Sequence, residues 1–300
     1  YLMSKNTVLI VGSIALDTVE TPFDKKHNII GGSTTFSLIA AERYSNVAVV
    51  GVIGDDFPKE GHLLYDSYAK DVKDLKIIEG KTFRWGGKYH ANWNDRDTLF
   101  TDLGVFADFE PVLSDSNQNR SHILLANIHP DLQFSIISQN KNPNSLIVVD
   151  TMNLWIETTP TQLKKVLSAS NILLINDSES TMLTGEKNIN AAASSLLSLG
   201  PEIVVIKKGS NGAELFSNKE HLRIGAFPVE QVIDPTGAGD VFAGAFTACL
   251  SAGQTSQSAL LNASAMASIC IESFGTERVQ SASNDEIRER VDFLSKTVKS

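Results

Sequence analysis

The segment Asp234-Pro235-Thr236-Gly237-Ala238-Gly239-Asp240 lies between an apolar, strand-like stretch, Ile224 to Ile233, and a helical run of small and apolar residues, 241–246. Closely spaced glycines allow a turn whose backbone N–H groups point outward. A helix that begins there adds unpaired N–H groups and the positive end of its dipole. The turn is therefore predicted to bind an anion.

A carboxylate within this turn, Asp240, indicates the chemistry. It is electrostatically unfavourable in an anion site unless it accepts a proton from a group about to attack a phosphate. The pattern predicts phosphoryl transfer to a hydroxyl, with Asp240 as the base. The N–H groups of Gly237, Ala238 and Gly239 would stabilise charge on the transferring group. The alternative is a plain helix-start turn that carries an acid by chance.

Short apolar runs alternate with helical patterns along most of the chain. This alternation predicts an α/β fold with a mostly parallel sheet covered on both faces. The predicted strands are Thr7–Ile14, Val47–Ile53, Leu146–Val149, Ile172–Asn176 and Ile203–Lys207, and the predicted helices are Thr34–Tyr44, Pro160–Ala169, Ile189–Leu199, Thr255–Glu272 and one capped by Ser283.

Two stretches, Asp17–Ile30 and Lys81–Phe106, are polar and aromatic with a two-residue alternation. They are predicted to form antiparallel strands outside the main sheet, as a small β lid over the site. No internal repeat or linker divides the chain, so residues 1–300 are expected to form a single domain with lid segments at about 17–30 and 81–106. The apolar faces of 81–106 are compatible with a homodimer.

The 300 residues carry a net charge of −9 without a basic stripe, which argues against nucleic acid as a partner. No apolar run approaches the length of a membrane span, so no membrane partner is expected. The two cysteines, Cys249 and Cys270, lie in apolar helical patterns, which indicates buried thiols and a reducing, cytoplasmic location.

Together with other landmarks, the 234–240 segment resembles the C-terminal signature of the PfkB (ribokinase-like) carbohydrate kinase family. Gly12-Ser13-Ile14-Ala15-Leu16-Asp17 is similar to the family's first strand and its substrate-binding aspartate, and Gly31-Gly32 resembles its glycine pair. Asn176-Asp177-Ser178-Glu179 is similar to its N-x-x-E element. The resemblance runs from about Val8 to about Gly275 and implies a ribokinase-like three-layer sandwich that uses ATP and Mg²⁺, with K⁺ as a candidate activator.

The resemblance also implies residue roles on the acceptor and metal sides. Asp17 would accept hydrogen bonds from vicinal hydroxyls, and Gly31 and Gly32 would let the acceptor lie against backbone; a turn acid and a plain turn are the alternatives. Glu179 would order Mg²⁺ through water, and Asp234 could help hold a monovalent cation.

On the nucleotide side, the resemblance assigns Asn176, Lys207, Gly209, Gly212 and Asn262. Each has an alternative in ordinary structure. Asn176 and Glu179 make a helix capping box, Lys207 or Lys208 could be a solvated lysine, and Asn262 could be a helix-surface amide.

The acceptor is left open between a free sugar and a ribonucleoside of the adenosine type. Many family sugar kinases carry an asparagine where this chain has Phe36, and a ring favours a flat acceptor over a bare polyol. The lid candidate adds Trp93 and Asn94 as possible acceptor contacts, although alternating aromatics also pack in ordinary strands. A non-catalytic sugar- or nucleotide-binding regulator is a further alternative. A Rossmann dehydrogenase is excluded, because the first turn lacks G-x-G-x-x-G.

Overall fold

The structure, a computed structural model, describes residues 6–91, 93 and 96–299. In chain order, its strands are β1 (Thr7–Val11), β2 (Ala15–Glu20), β3 (Lys25–Gly31), β4 (Asn46–Gly54), β5 (Asp71–Ile78), β6 (Phe83–Tyr89), β7 (Arg96–Asp102), β8 (His122–Leu125), β9 (Leu146–Asp150), β10 (Ile172–Asn176), β11 (Ile203–Lys207), β12 (Ala213–Ser217) and β13 (His221–Ile224).

The helices are α1 (Ser33–Glu42), α2 (Lys59–Tyr68), α3 (Pro130–Gln139), α4 (Asn153–Thr158), α5 (Pro160–Ser168), α6 (Asp177–Thr184), α7 (Ile189–Leu197), α8 (Ala238–Ser251), α9 (Ser256–Cys270), α10 (Glu277–Ser281) and α11 (Asn284–Ser295). Short 3₁₀ turns occur at Gly104–Phe106, Asn117–Asn119 and Gly209–Asn211. Within the described part of the chain, none of these helices has the length and hydropathy needed to cross a bilayer.

Nine strands form the main sheet in the order β13-β12-β11-β10-β9-β8-β1-β4-β5. Pairing is parallel from β11 to β5 and antiparallel where β12 and β13 extend the sheet beyond β11. The predicted fold class, an α/β protein with a mostly parallel sheet, is therefore confirmed.

Apolar side chains of the parallel strands alternate between two cores, as expected for a sheet covered on both faces. In β1, Val8 and Ile10 contact a core that includes residues of α1, α8, α9 and α11. Leu9 and Val11 contact the other core, which includes residues of α3, α5 and α7. Both cysteines, Cys249 and Cys270, are free and buried, as predicted.

A second sheet of four strands, in the order β3-β2-β6-β7, lies outside the main sheet. We call it the small sheet; it corresponds to the lid segments predicted at 17–30 and 81–106, but the pairing of β2 with β6 is parallel, whereas all its strands were predicted to be antiparallel. Strand β7 lies at its edge and is exposed along its whole length, including Leu99 and Phe100. The predicted segment extends slightly too far, because residues 104–106 leave the sheet and Val105 is buried in the second core.

Two predicted strands differ from the structure. The predicted strand Thr7–Ile14 is too long, since β1 ends at Val11. Strand β2 begins at Ala15 in the other sheet, which places Asp17 within the small sheet rather than at the end of the first strand. The stretch Ile224–Ile233 is not a strand beyond Ile224. Its apolar side chains are used in packing instead: the Phe227 ring lies 5.3 Å from the Phe293 ring and 4.6 Å from the Arg290 guanidinium of α11.

The loop that leads to Asp234 is therefore expected to depend on Phe227. Replacing Phe227 by alanine should lower the free energy of unfolding by about 2 kcal/mol, which is less than the loss for a fully buried phenylalanine because Phe227 is only partly buried. Thermal unfolding measures the loss, and Phe23→Ala is the control because Phe23 is 58% exposed. Equal, small effects of both substitutions would contradict this anchoring role.

Candidate functional site

The candidate site lies at the carboxyl ends of the central parallel strands. Strands β1 and β8 are neighbours, yet the chain continues from β1 toward β4 and β5, and from β8 toward β9, β10 and β11. Such a reversal opens a crevice at the carboxyl edge of the sheet, where ligands bind in open α/β folds. Helix α1, which follows β3, and helix α8 pack against each other on one side of this crevice.

The 237–240 turn begins α8. Gly237 is the N-cap residue with φ +79°, a left-handed conformation that favours glycine. The N–H of Ala238 donates to the Pro235 carbonyl at 3.2 Å, so this one of the predicted anion-binding groups already has a partner. The N–H groups of Gly239 and Asp240 lie in the first helical turn, where no intrahelical acceptor exists.

Phe36 lies beneath the turn and has a different role from the predicted one. A Cβ built on Gly237 would come within 2.3 Å of the Phe36 ring, so the ring packs directly against this glycine. Phe36 is 2% exposed and therefore offers almost no free face to a flat acceptor. The structure makes it a support for the turn, which corrects the prediction of a stacking residue.

Asp17 reaches the same crevice from the small sheet. Its Oδ2 lies so close to Gly31 that a Cβ there would come within 2.0 Å. The N–H of Gly32, the N-cap residue of α1, donates a hydrogen bond to the Asp17 carboxylate. The glycine pair therefore holds the Asp17 carboxylate against backbone, whereas its predicted contact with the acceptor stays a prediction.

The carboxylates of the crevice are unusually basic. Burial raises the pKa of Asp17 to about 7, and the nearby charges of Asp234 and Asp240 add to the increase. Asp240 is partly open to the crevice but surrounded by protein, and this desolvation, together with the charge of Asp150, raises its pKa to about 7. A pKa near neutrality suits a general base at physiological pH.

A cation opposes this negative charge. The Lys207 ammonium donates a hydrogen bond to Asp150 Oδ1 at 2.9 Å, with its side chain 18% exposed. A Cβ on Gly239 would lie 3.3 Å from Lys207 Nζ, so the ammonium sits beside the 237–240 turn. Burial lowers the pKa of Lys207, but the charges of Asp150 and Glu179 outweigh it and the net pKa is raised, which keeps the lysine protonated. A solvated surface lysine, the alternative weighed from the sequence, is therefore wrong for Lys207.

Lys208 is turned away into another ion pair. Its ammonium donates to Glu214 Oε1 at 2.6 Å, and Glu214 is buried and also accepts from His221. Lys207 is therefore the lysine of this pair that faces the crevice. Gly209 and Gly212 bound the turn that follows β11, at the carboxyl edge of the sheet.

Asn176 and Glu179 form the capping box that was the alternative reading of the N-x-x-E element. Asn176 Oδ1 accepts from the Glu179 N–H at 2.8 Å, and Glu179 Oε2 accepts from the Asn176 N–H at 3.0 Å. Burial raises the pKa of Glu179, while the charge of Lys207 opposes the increase. The cap thus fixes Glu179 within electrostatic reach of Lys207 and the crevice.

Asp234 has one oxygen in use and one without a partner. Oδ1 accepts from the Thr236 N–H at 2.8 Å, whereas Oδ2 is buried without a hydrogen bond among the described residues. Burial raises the pKa of Asp234 to about 6. An orphaned buried carboxylate oxygen fits a cation ligand. Across the described chain, however, no cluster of three or more His, Cys, Asp or Glu side chains is arranged to hold a metal by itself.

Two predicted site residues, Asn262 and Trp93, are not brought to the turn in this way. Asn262 lies in the N-terminal half of α9, near the C-terminal end of α8. There its side chain accepts a hydrogen bond from the Tyr44 hydroxyl and donates one to the Ser258 carbonyl. This placement agrees with a helix-surface amide and not with a nucleotide contact. The Trp93 ring packs 5.8 Å from the Phe23 ring, which lies in the β2–β3 loop, and Asn94 falls outside the described residues.

The structure adds residues that the sequence did not single out. Asp150 ends β9, and Asn127 follows β8, where its carbonyl accepts from Ser33 Oγ at 3.3 Å and its Oδ1 from Trp155 Nε1 at 2.8 Å. Both lie at carboxyl ends of parallel strands, and this position could have identified them as site residues from the sequence. In the small sheet, Trp85 is paired with Asp17, and the Arg96 guanidinium lies 5.1 Å from the Trp85 ring; a two-residue alternation alone does not say which face of a sheet meets the site.

Comparison with known proteins agrees with this geometry. The model of the family described as pfkB family carbohydrate kinase matches residues 15–282. A cytidine kinase of Thermococcus kodakarensis is 27% identical over 82% of this chain and 89% of the relative, and a nucleoside kinase of Methanothermobacter thermautotrophicus is 31% identical over 90% and 91%.

Among solved structures, a putative ribokinase II of E. coli in complex with ATP and Mg²⁺ superposes with a TM-score of 0.80 at 20% identity, covering 98% of this chain and 100% of the other. This similarity shows the ribokinase-type fold. Because the family match spans most of the chain, the chain belongs to the pfkB family of carbohydrate kinases.

Proposed function

We propose that the chain transfers the γ-phosphate of ATP to a primary hydroxyl of a sugar or of the ribose of a nucleoside. The observation that carries the proposal is the position of Asp240: a carboxylate with a pKa of about 7, in the first turn of α8, beside the Lys207 ammonium. A base and anion-binding groups at one point are what phosphoryl transfer to an alcohol requires.

In this mechanism, Asp17 and the backbone at Gly31 and Gly32 hold the acceptor by hydrogen bonds to its hydroxyls. Asp240 accepts the proton of the attacking hydroxyl. The first-turn N–H groups of α8 and the Lys207 ammonium stabilise the charge on the transferring phosphoryl group. The small sheet covers the crevice and excludes water, which limits hydrolysis of ATP.

The nucleotide would lie beyond the turn, along the carboxyl ends of β10 and β11. Asn176, Lys207 and the turn bounded by Gly209 and Gly212 are the groups there. Mg²⁺ would be held through water by Glu179, which the capping box fixes near Lys207, and would supply charge neutralisation of the phosphates. Asp234 Oδ2 is the proposed ligand of a monovalent cation such as K⁺.

A ribonucleoside is the acceptor that the similarities favour, because relatives that cover most of this chain carry the names cytidine kinase and nucleoside kinase. Phe36 no longer supports this choice, since its ring is buried. A non-catalytic regulator is disfavoured, because a protein that only binds a sugar has no need of the Asp240 base.

The acceptor is tested by coupled ATP consumption with ribose, fructose and fructose phosphates against adenosine, inosine and cytidine. We expect turnover with at least one nucleoside and weaker turnover with free sugars. Turnover with sugars alone would show that the acceptor is a free sugar and not a nucleoside. Tight ATP binding with no turnover on any acceptor would favour the regulator.

Replacing Asp240 by asparagine should leave ATP and acceptor binding intact and lower kcat about 10²- to 10⁴-fold, because the amide cannot take the proton. In the unaltered protein, kcat/KM should rise with pH through about 7, since Asp240 is active only when ionised and its pKa is raised. A flat profile between pH 5.5 and 8, or near-normal turnover of Asp240→Asn, would show that Asp240 is not the base.

Substitutions at the Lys207–Asp150 ion pair should shift the rise of kcat/KM with pH, here called the acid limb, in opposite directions along the pH axis. Lys207→Met removes a charge that lowers the pKa of Asp240, so the limb should move to higher pH, with a loss of kcat. Asp150→Asn removes a charge that raises this pKa, so the limb should move to lower pH. Lys208→Met is the matched control, because Lys208 pairs with Glu214, and it should not move the limb. Shifts in the same direction for both variants would refute this electrostatic coupling.

A further inference from the structure

The glycine pair that holds the Asp17 carboxylate has no side chains of its own to fix its position. A Cβ on Gly31 would come within 2.0 Å of Asp17 Oδ2, and a Cβ on Gly32 would come within 2.5 Å of the Ser13 carbonyl oxygen, so neither position has room for a larger residue. Glycine also has the greatest backbone freedom of all residues, and Gly32 uses it with φ +86°. The geometry of the pair therefore depends on contacts from neighbouring elements.

The Gly31 carbonyl is tied to helix α1 by a side chain. The backbone of α1 begins its hydrogen bonding with the Phe36 N–H and the Gly32 carbonyl, which leaves the Gly31 carbonyl outside the helical ladder. The Thr35 hydroxyl donates to this carbonyl at 2.5 Å. Thr35 is fully buried, so water does not compete for the bond.

A second buried hydroxyl, that of Tyr65, lies behind Thr35. Tyr65 belongs to α2, and its hydroxyl oxygen is 2.8 Å from Thr35 Oγ1. Because a threonine hydroxyl has one proton, and that of Thr35 is donated to Gly31, Tyr65 must be the donor to Thr35. We call these two bonds, from Tyr65 to Thr35 and from Thr35 to the Gly31 carbonyl, the hydroxyl relay.

Tyr65 has a fixed position and does not reach the crevice itself. Its side chain is 2% exposed, and the Phe57 ring packs edge-on to it with 6.2 Å between the ring centres. A Cβ on Gly61 of α2 would come within 2.4 Å of the Phe57 ring, so this glycine lets Phe57 pack against the helix. Tyr65 can therefore act on a ligand only through Thr35 and the glycine pair.

We propose that Tyr65 is a positioning residue that sets the selectivity of the site for acceptors with two vicinal hydroxyls. By donating to Thr35, it fixes the Gly31 backbone against which the Asp17 carboxylate lies. A carboxylate accepts from two neighbouring hydroxyls at once only when its orientation is fixed, whereas a carboxylate that can shift binds one hydroxyl almost as well as two. The inference rests on the proposed function, because it concerns the acceptor that Asp17 would bind.

The test measures KM for the best acceptor of the panel in variants of the hydroxyl relay. Tyr65→Phe removes only the hydroxyl and should raise acceptor KM about fivefold, the value of one buried hydrogen bond, with less than about twofold change in kcat and in KM for ATP. Thr35→Val removes both bonds and should raise acceptor KM further. Adding Tyr65→Phe to Thr35→Val should have no additional effect, since the relay is already broken. Thr35→Ser keeps the hydroxyl and should stay within about twofold of the unaltered protein.

Selectivity is measured as the ratio of kcat/KM for the best acceptor to kcat/KM for its deoxy analogue, which lacks one of the two vicinal hydroxyls. This ratio should fall in Tyr65→Phe and fall further in Thr35→Val. The matched control is Tyr44→Phe, because the hydroxyl of this partly buried tyrosine donates to Asn262 just beyond the opposite end of α1. The control should lose thermal stability and keep both acceptor KM and the ratio.

A melting temperature lowered in Tyr65→Phe without a change in acceptor KM or in the ratio would overturn this inference and leave the proposed function intact. Equal losses for the acceptor and its deoxy analogue would do the same. Should Tyr65→Phe fail to fold, equal acceptor KM values for Thr35→Ser and Thr35→Val would overturn the inference. Absence of both turnover and calorimetric acceptor binding in the unaltered protein, across the whole panel, would overturn the proposed function and this inference with it.

Discussion

The contact between the starts of α1 and α8 is the constraint on which the site depends. The Phe36 ring of α1 fills the space beneath Gly237, and the Ser37 hydroxyl donates to the Asp240 carbonyl at 2.9 Å. This packing places the N-termini of both helices at the same edge of the sheet. The glycine pair that holds Asp17 precedes one helix, and Asp240 lies in the first turn of the other, so the carboxylate proposed to bind the acceptor and the proposed base face a common crevice.

The crevice combines buried carboxylates with a cation that opposes their charge. Burial of several carboxylates raises their pKa values, and that of Asp240 reaches about 7, which suits a base. The same burial would repel a phosphate if nothing opposed it. Lys207, fixed by its hydrogen bond to Asp150, supplies a cation from the main sheet that opposes this repulsion.

Local patterns in the sequence were enough for the fold class and for much of the cleft. The 234–240 turn and the glycine pair are short-range features, because glycine spacing and helix starts follow from neighbouring residues. The sequence could not predict the Lys207–Asp150 pair, since its members are 57 residues apart and meet only through the order of β9, β10 and β11. Phe36 and the stretch 225–233 were misread for a related reason: an apolar residue or run shows that something is buried, but not against what.

The stereochemistry of transfer tests the account most directly. With ATP made chiral at the γ-phosphorus by oxygen isotopes, a single in-line displacement by an acceptor hydroxyl, with Asp240 acting only as base, inverts the configuration in the phosphorylated product. We expect inversion. Retention would mean two successive displacements through a phosphorylated side chain, with Asp240 the nearest candidate, and would contradict the role of Asp240 as a base in direct transfer.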